Sequence, residues 1–450
     1  MKRAAQWIVG MLLFAVLGVV TLYAASSLRG ASTGQRAALA SMEQPGNAPG
    51  RNAFAALWLL PYAVPEAELD AIANEDVRRF AARGPVEAGA AAQDVTTNVT
   101  PFVSVATERY PPRPEAADAP PLCRHPAAGC LAQVRAQRDA YQGWRERNLG
   151  LIERAGALSQ YGHHRGHFAP SLAMPMPQMG QLIPTLLTDR ALSFVEGRTD
   201  VALAQLCGDV TTWRRLAPNS DSLLVSMVGL GLVGDSTVLF AEMLAHLPAG
   251  QLLPAACAIA FAVPTVAEIS LCEPLKGEWR FARSATIDLD GRLNAAVIPL
   301  FSRAMTDARS AAQMAHFCAV DVERALLADR PAPEPPASDR FQLDCVRNFG
   351  GCILSDIAAP GYHDYQLRAQ DYGAKLRLAG TLLWLHERPA DARPLAARLA
   401  SRPAALRGGA REFEIIEGGR ALRVAMYGSR PAGHFQLPLA AYVSGGASAD

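Results

Sequence analysis

The sequence predicts a mainly α-helical protein: an N-terminal transmembrane helix, then a periplasmic array of antiparallel helical hairpins with a small C-terminal β-hairpin. Three observations carry this expectation. Trp7 to Ala25 is a run of nineteen residues without a charge. Apolar residues recur at steps of three and four through most of the remaining chain, which is the helical period. REFEII and ALRVAMYG alternate in polarity on either side of Glu417-Gly418-Gly419-Arg420, the pattern of two strands joined at a glycine turn.

At about 1.5 Å per residue the first run spans roughly 29 Å as a helix, close to the roughly 30 Å hydrocarbon core of a bilayer. No comparable apolar run occurs after it. Lys2 and Arg3 precede it, and Arg29 and Arg36 come after, so the positive-inside bias toward a cytoplasmic N-terminus is slight. A cleaved signal peptide is the rival reading, since Ala24-Ala25-Ser26 offers small residues for cleavage, but signal-peptide cores are shorter, about 7–15 residues. The expected address is the bacterial inner membrane, single-pass, with the body in the periplasm and the lipid bilayer as first partner.

Eight cysteines behind an export segment point to disulfides, which oxidising compartments retain. Cys123 and Cys130 enclose six residues, as do Cys345 and Cys352, and each insert carries Gly just before the second Cys. Two local bridges are expected there. Cys207, Cys257, Cys272 and Cys318 allow three pairings, which stay open together with the alternative of buried thiols. Zinc ligands come at closer C-x2-4-C spacing.

Half of the 450 residues are hydrophobic and the formal net charge is +1, so core material is ample and no basic face calls for a nucleic acid. In order, the chain reads as a cytoplasmic stub (1–6), the membrane helix (7–25), a flexible linker (26–52), a helical periplasmic domain (53–330) and a C-terminal helical segment with the β-hairpin (340–440). The linker assignment rests on small polar residues and Pro45, Gly46, Pro49 and Gly50. Leu69, Ile72, Val77 and Phe80 predict a first helix, and the apolar AFAALWLLPY before it leans to helix. Prolines between Gly84 and Pro121 predict a loop. A strong helix is expected from Leu131 to about Tyr161.

From Leu186 to about Ala285 helix succeeds helix, with breaks read at Gly197, Pro218, Gly234, Pro248 and Pro264 and candidate N-caps at Thr199, Ser220 and Ser236. Gly197 and Gly234 begin a faint echo at an offset of 37, Val201-Leu203-Ala204 against Val238-Phe240-Ala241, best read as two hairpins of similar shape. Another long helix is expected over Asn294–Asp329, then a boundary or exposed loop at PAPEPPASD, a turn at Pro360-Gly361 and a helix to about Arg388.

The segment from Arg347 to Leu378, with Asn348, Gly350 or Gly351, Pro360, Tyr362, Arg368, Asp371 and Arg377, resembles a pattern in uncharacterised bacterial proteins with one N-terminal membrane helix and a helical periplasmic body. The resemblance covers about a quarter of the chain and implies architecture and location, with no catalytic residue.

Standard catalytic motifs are missing from the sequence. His386-Glu387 runs into Arg388-Pro389 instead of completing HExxH, Ser226 lacks the glycine of a G-x-S-x-G elbow, and there is no S-x-x-K or P-loop. One connector stands out, YGHHRGHFAPSLAMPMPQMG. Its His163, His164 and His167 with Met174, Met176 and Met179 form a candidate copper site, because thioethers and imidazoles suit Cu(I). Read structurally, the same residues fill gaps between helices. The expected function is an interaction or scaffold module of the cell envelope that holds a protein partner; the alternatives are a cell-envelope enzyme with a nonstandard site and a copper-binding protein.

Overall fold

The computed structural model describes residues 2–83, 102–111, 119–124, 129–171, 173–290, 300–336, 342–389, 391, 393–428 and 433–444. Most of the loop expected over 84–121, the interior of the first cysteine loop (125–128), the start of the helix expected from Asn294 and the end of PAPEPPASD lie outside these residues. The structure is mainly helical, 66% helix, with a small antiparallel three-stranded sheet near the C-terminus.

The N-terminal apolar helix runs Lys2–Leu28 and is long and apolar enough to cross a membrane, with mean hydropathy 2.4 over Gln6–Leu28. A second helix, Leu223–Ala245, passes the same length and composition test with mean hydropathy 1.9, yet most of it is buried inside the body. This helix corrects three expectations: that no comparable apolar run follows the first, and a break at Gly234 and an N-cap at Ser236, through both of which it continues. Gly234 sits against the Lys375 side chain, where an added Cβ would come within 3.2 Å of Nζ. The glycine thus serves close approach inside a helix, while Gly197, at φ +81°, stands at a helix end, and the 37-residue echo joins two unlike positions.

Around this central helix pack Leu182–Val195, Thr199–Leu216, Cys272–Asp290 and the 38-residue helix Phe349–His386. Ser222 caps the central helix by accepting from the Val225 amide, and Thr199 is the first helical residue after an Arg198 cap, so Ser220 and Thr199 are not caps. The core holds Trp213, Phe240, Phe261 and Trp279, all at most 2% exposed.

The turn expected at Pro360-Gly361 is absent, since Phe349–His386 runs through it. Pro360 is exposed, and the downstream turns bury Leu376, Leu378, Ala379 and Leu385, so packing outweighs the one backbone hydrogen bond that proline deletes. The helix expected over 131–161 divides at Gln137 into Cys130–Ala136 and Arg138–Ala157. The helix expected to reach Asp329 divides into Arg303–Ala315, a 3-10 turn at His316–Cys318 and Val320–Leu327.

The segment expected as a flexible tether is built into the body. Thr33–Glu43 is a helix whose Ser32 and Gln35 form a reciprocal capping box. It packs on Arg303–Ala315, buries Met42, and its Glu43 meets Arg283 at 2.9 Å. Arg51–Asn52 then pairs in parallel with Tyr161–His163.

All eight cysteines are paired: Cys123–Cys130 and Cys345–Cys352 as expected, with Cys207–Cys257 and Cys272–Cys318 resolving the open pairings. At the C-terminal end Phe413–Ile416 and Ala421–Ala425 form the hairpin, and His434–Pro438 adds a third antiparallel strand. A buried ion cluster ties this sheet to the helices. Arg411 reaches Asp329 (2.5 Å) and Asp371 (2.6 Å), Arg377 reaches Asp329 (2.6 Å), and Asp371 also accepts from the Tyr427 and Gly428 amides.

Candidate functional site: a cleft lined by the histidine–methionine connector

Asn52 holds the connector in place. Its side chain accepts from the Arg165 and Phe54 amides and donates to the Arg165 carbonyl, so the strand Arg51–Asn52 and the start of helix Phe54–Trp58 are locked against residues 163–168. Arg165 continues the lock by donating to the carbonyls of His164, Asn219 and Asn47. A guanidinium offers five donors in a fixed fork, which suits it to gathering three separate backbone segments.

The three histidines take three different partners. His163 Nδ1 lies 2.9 Å from the Pro49 carbonyl, which can only accept, so Nδ1 carries the proton there. His164 Nδ1 faces Ser220 Oγ at 3.2 Å and Asp221 Oδ1 at 3.5 Å. His167 Nε2 meets the Asn52 amide nitrogen at 3.1 Å, and its ring lies on Phe54. Among the described residues no group of three His, Cys, Asp or Glu is placed to hold a metal ion. The methionines divide as well. Met179 is buried in the main core, whereas Met174 packs with Phe54, Trp58 and Phe168, and Met176 is partly exposed.

What the connector does build is a cleft of about 90 Å³. Its apolar wall is Phe54, Trp58, Phe168, Met174 and the prolines 170, 175 and 177; its polar wall is His164, Asp221, Ser222, Glu278 and Arg280. The aromatic wall is rigid. Trp58 and Phe168 meet edge to face at 4.9 Å, and the Trp58 indole nitrogen donates to Asp76, which also accepts from Ser104 and the Val105 amide. Gly277 sets the width, because a Cβ there would lie 1.7 Å from the Asp221 carbonyl oxygen.

The two carboxyls of the polar wall are pushed in opposite directions. Burial raises Asp221, but His164, the Gly166 amide and Arg165 outweigh it, and the group ends below the ordinary carboxylate range. Glu278 is raised by burial, and Tyr362, whose hydroxyl donates to it at 3.3 Å, offsets only part of this. Burial lowers Arg165 behind this wall, the carboxylates of Asp221 and Glu273 raise it, and the neighbouring Arg280 lowers it.

Half of this lining comes from the connector that the sequence singles out, with His164, Met174 and Met176 among it and His163, His167 and Met179 outside it. Phe54, Trp58, Asp221, Glu278 and Arg280 were missed, since they lie up to 226 positions apart with no shared motif. Of the residues behind the family resemblance, Tyr362 backs the cleft. Asn348 instead accepts from the Ser302 amide and Thr306, and Asp371 and Arg377 belong to the buried ion cluster, so these three act in holding the fold. Compared with protein-family models, curated proteins and solved structures, the chain matches none.

Proposed function

We propose that this is a single-pass protein of the bacterial inner membrane whose periplasmic body is an interaction module, and that the cleft receives one apolar side chain of a partner polypeptide. The observation that carries the reading is the pairing of size with lining. A volume of about 90 Å³ is smaller than the roughly 150 Å³ of an engineered cavity that admits benzene, yet it opens to solvent, so it accommodates the tip of one side chain while the remainder of the ligand stays outside. The rigid aromatic wall reduces the ordering cost of binding. Arg280 in the lining offers a guanidinium that can pair with a carboxylate beside the inserted group. Four disulfides support an oxidising location, and Lys2–Leu28 supports the anchor.

The test is a photo-crosslinking residue in place of Met176, which is 41% exposed at the cleft mouth, in the full chain in native membranes. The reading expects one reproducible protein adduct that is lost on Arg280→Glu. Recovery of no adduct refutes it.

One observation favours an enzyme as the second reading. Asp221 and Glu278 line one cleft with pKa values displaced in opposite senses, the condition under which one carboxyl stays ionised and the other holds a proton for general-acid work. Hydrolysis of a cell-envelope substrate by the purified protein, abolished in Glu278→Gln, would establish this reading over the first.

A further inference from the structure

The first turns of the long helix Phe349–His386 carry an apolar face that is left exposed among the described residues. Phe349 is 51% exposed, Leu354 46% and Ile357 71%, with Leu300 beside them at 44%. At 100° per residue, Phe349, Ile353, Ile357 and Leu354 sweep an arc of about 140°. Cys352 and Ser355 lie on the opposite, buried side. From Phe349 to Gly361 the only charged residue is Asp356, and it is turned inward onto Arg309 at 3.0 Å. A solvated helix face ordinarily carries charge; this one carries none.

Its position says what covers it. The end of the anchor helix packs against Asp344–Arg347, the short helix immediately before Phe349, and the Arg347 amide donates to Ser26 Oγ at 3.0 Å. That contact involves the last turn of the apolar helix, and Tyr23, one turn before it, is half-buried, as suits an aromatic side chain at the membrane–water boundary. Arg29, Arg303 and Arg347 are exposed nearby, suited to anionic lipid headgroups.

We infer that the arc of Phe349, Ile353, Leu354 and Ile357 rests in the interfacial layer of the same bilayer that the anchor crosses, as the apolar side of an interfacial helix does. The inference rests on the reading of Lys2–Leu28 as a membrane anchor. With the packed helix Thr33–Glu43, it holds the body in one orientation against the membrane instead of letting it swing on a tether.

The experiment places a benzophenone amino acid singly at Phe14, Phe349, Ile357 and Leu252 of the full chain. Each variant is reconstituted in vesicles of phosphatidylethanolamine and phosphatidylglycerol, irradiated, and assayed by mass spectrometry for lipid adducts. Leu252 is 91% exposed, follows Gln251, whose carbonyl meets His386 at the far end of the long helix, and supplies the background. Adducts at Phe14, Phe349 and Ile357, with yields at the last two at least five-fold above Leu252, are expected. Ile357→Asp, a change at an exposed position, should lower the Phe349 yield at least three-fold. If Phe14 labels lipid while Phe349 and Ile357 stay at background, or crosslink to a second copy of the chain, the interfacial inference is overturned and the anchor stands. If Phe14 itself takes no lipid, the anchor reading falls, and this inference with it.

Discussion

Removing Cys207–Cys257 by the double substitution Cys207→Ala/Cys257→Ala tests how the long-range disulfides hold the body. The bond joins helix Thr199–Leu216 to the short helix Ala255–Ala260 across 50 residues, and both cysteines are fully buried. In the loop-closure model a ring of that size removes about 4 kcal/mol of unfolded-chain entropy, against about 2.5 kcal/mol for the eight-residue ring of Cys123–Cys130. Alanine keeps both helices and leaves no buried hydroxyl, so the difference of roughly 1.5 kcal/mol between the two double variants isolates ring size. Guanidinium unfolding of the detergent-solubilised chain, followed by tryptophan fluorescence, supplies the comparison, because Trp213 lies on the helix that the bond clamps. A Cys207/Cys257 variant as stable as the parent, or a reversed order between the two variants, would refute the reasoning.

Other perturbations give equally definite expectations. Burial raises the folded pKa of Glu278, so its contribution is fully present below the unfolded value, about 4.3, and is lost as pH rises through the folded one. The melting temperature of Glu278→Gln should therefore match the parent near pH 4 and exceed it increasingly toward neutrality. Asp221 is depressed, so its contribution is present above the unfolded value and lost as pH falls through the folded one; Asp221→Asn should cost stability at neutral pH and progressively less in acid. Arg411→Ala leaves Asp329 and Asp371 buried without their shared guanidinium and should cost about 3–5 kcal/mol in denaturant unfolding; a loss below about 1 kcal/mol would contradict the cluster's role. Gly277→Ala drives a Cβ into the Asp221 carbonyl and should cost about 1–3 kcal/mol while removing the adduct expected at Met176.

Features written in local spacing were legible in the sequence: the uncharged run, the two cysteine pairs six residues apart, and the strands around Glu417-Gly418-Gly419-Arg420. Features decided by packing were not. Gly234 and Pro360 carry the marks of helix ends, yet each lies inside a helix whose burial outweighs the local cost. Thr33–Glu43 reads as a tether because its composition is small and polar, and its packing on Arg303–Ala315 and the Glu43–Arg283 pair, which no local pattern announces, explain its order. The pairings of Cys207 and Cys272 depend on which helices become neighbours, which periodicity does not encode. The cleft was half visible for the same reason: half of its lining is a contiguous, unusual segment, whereas the rest draws Phe54, Trp58, Asp221, Glu278 and Arg280 from separate stretches whose signatures are ordinary.

The central claim is that the anchor delivers the body into an oxidising space, and the state of the cysteines in living cells tests it most directly. Intact bacteria are quenched in acid, the full chain is denatured and alkylated without reductant, and the thiols are counted by mass spectrometry. The account predicts that none of the eight cysteines is modified until reductant is added, after which all eight are. Eight free thiols in the unreduced sample would contradict it.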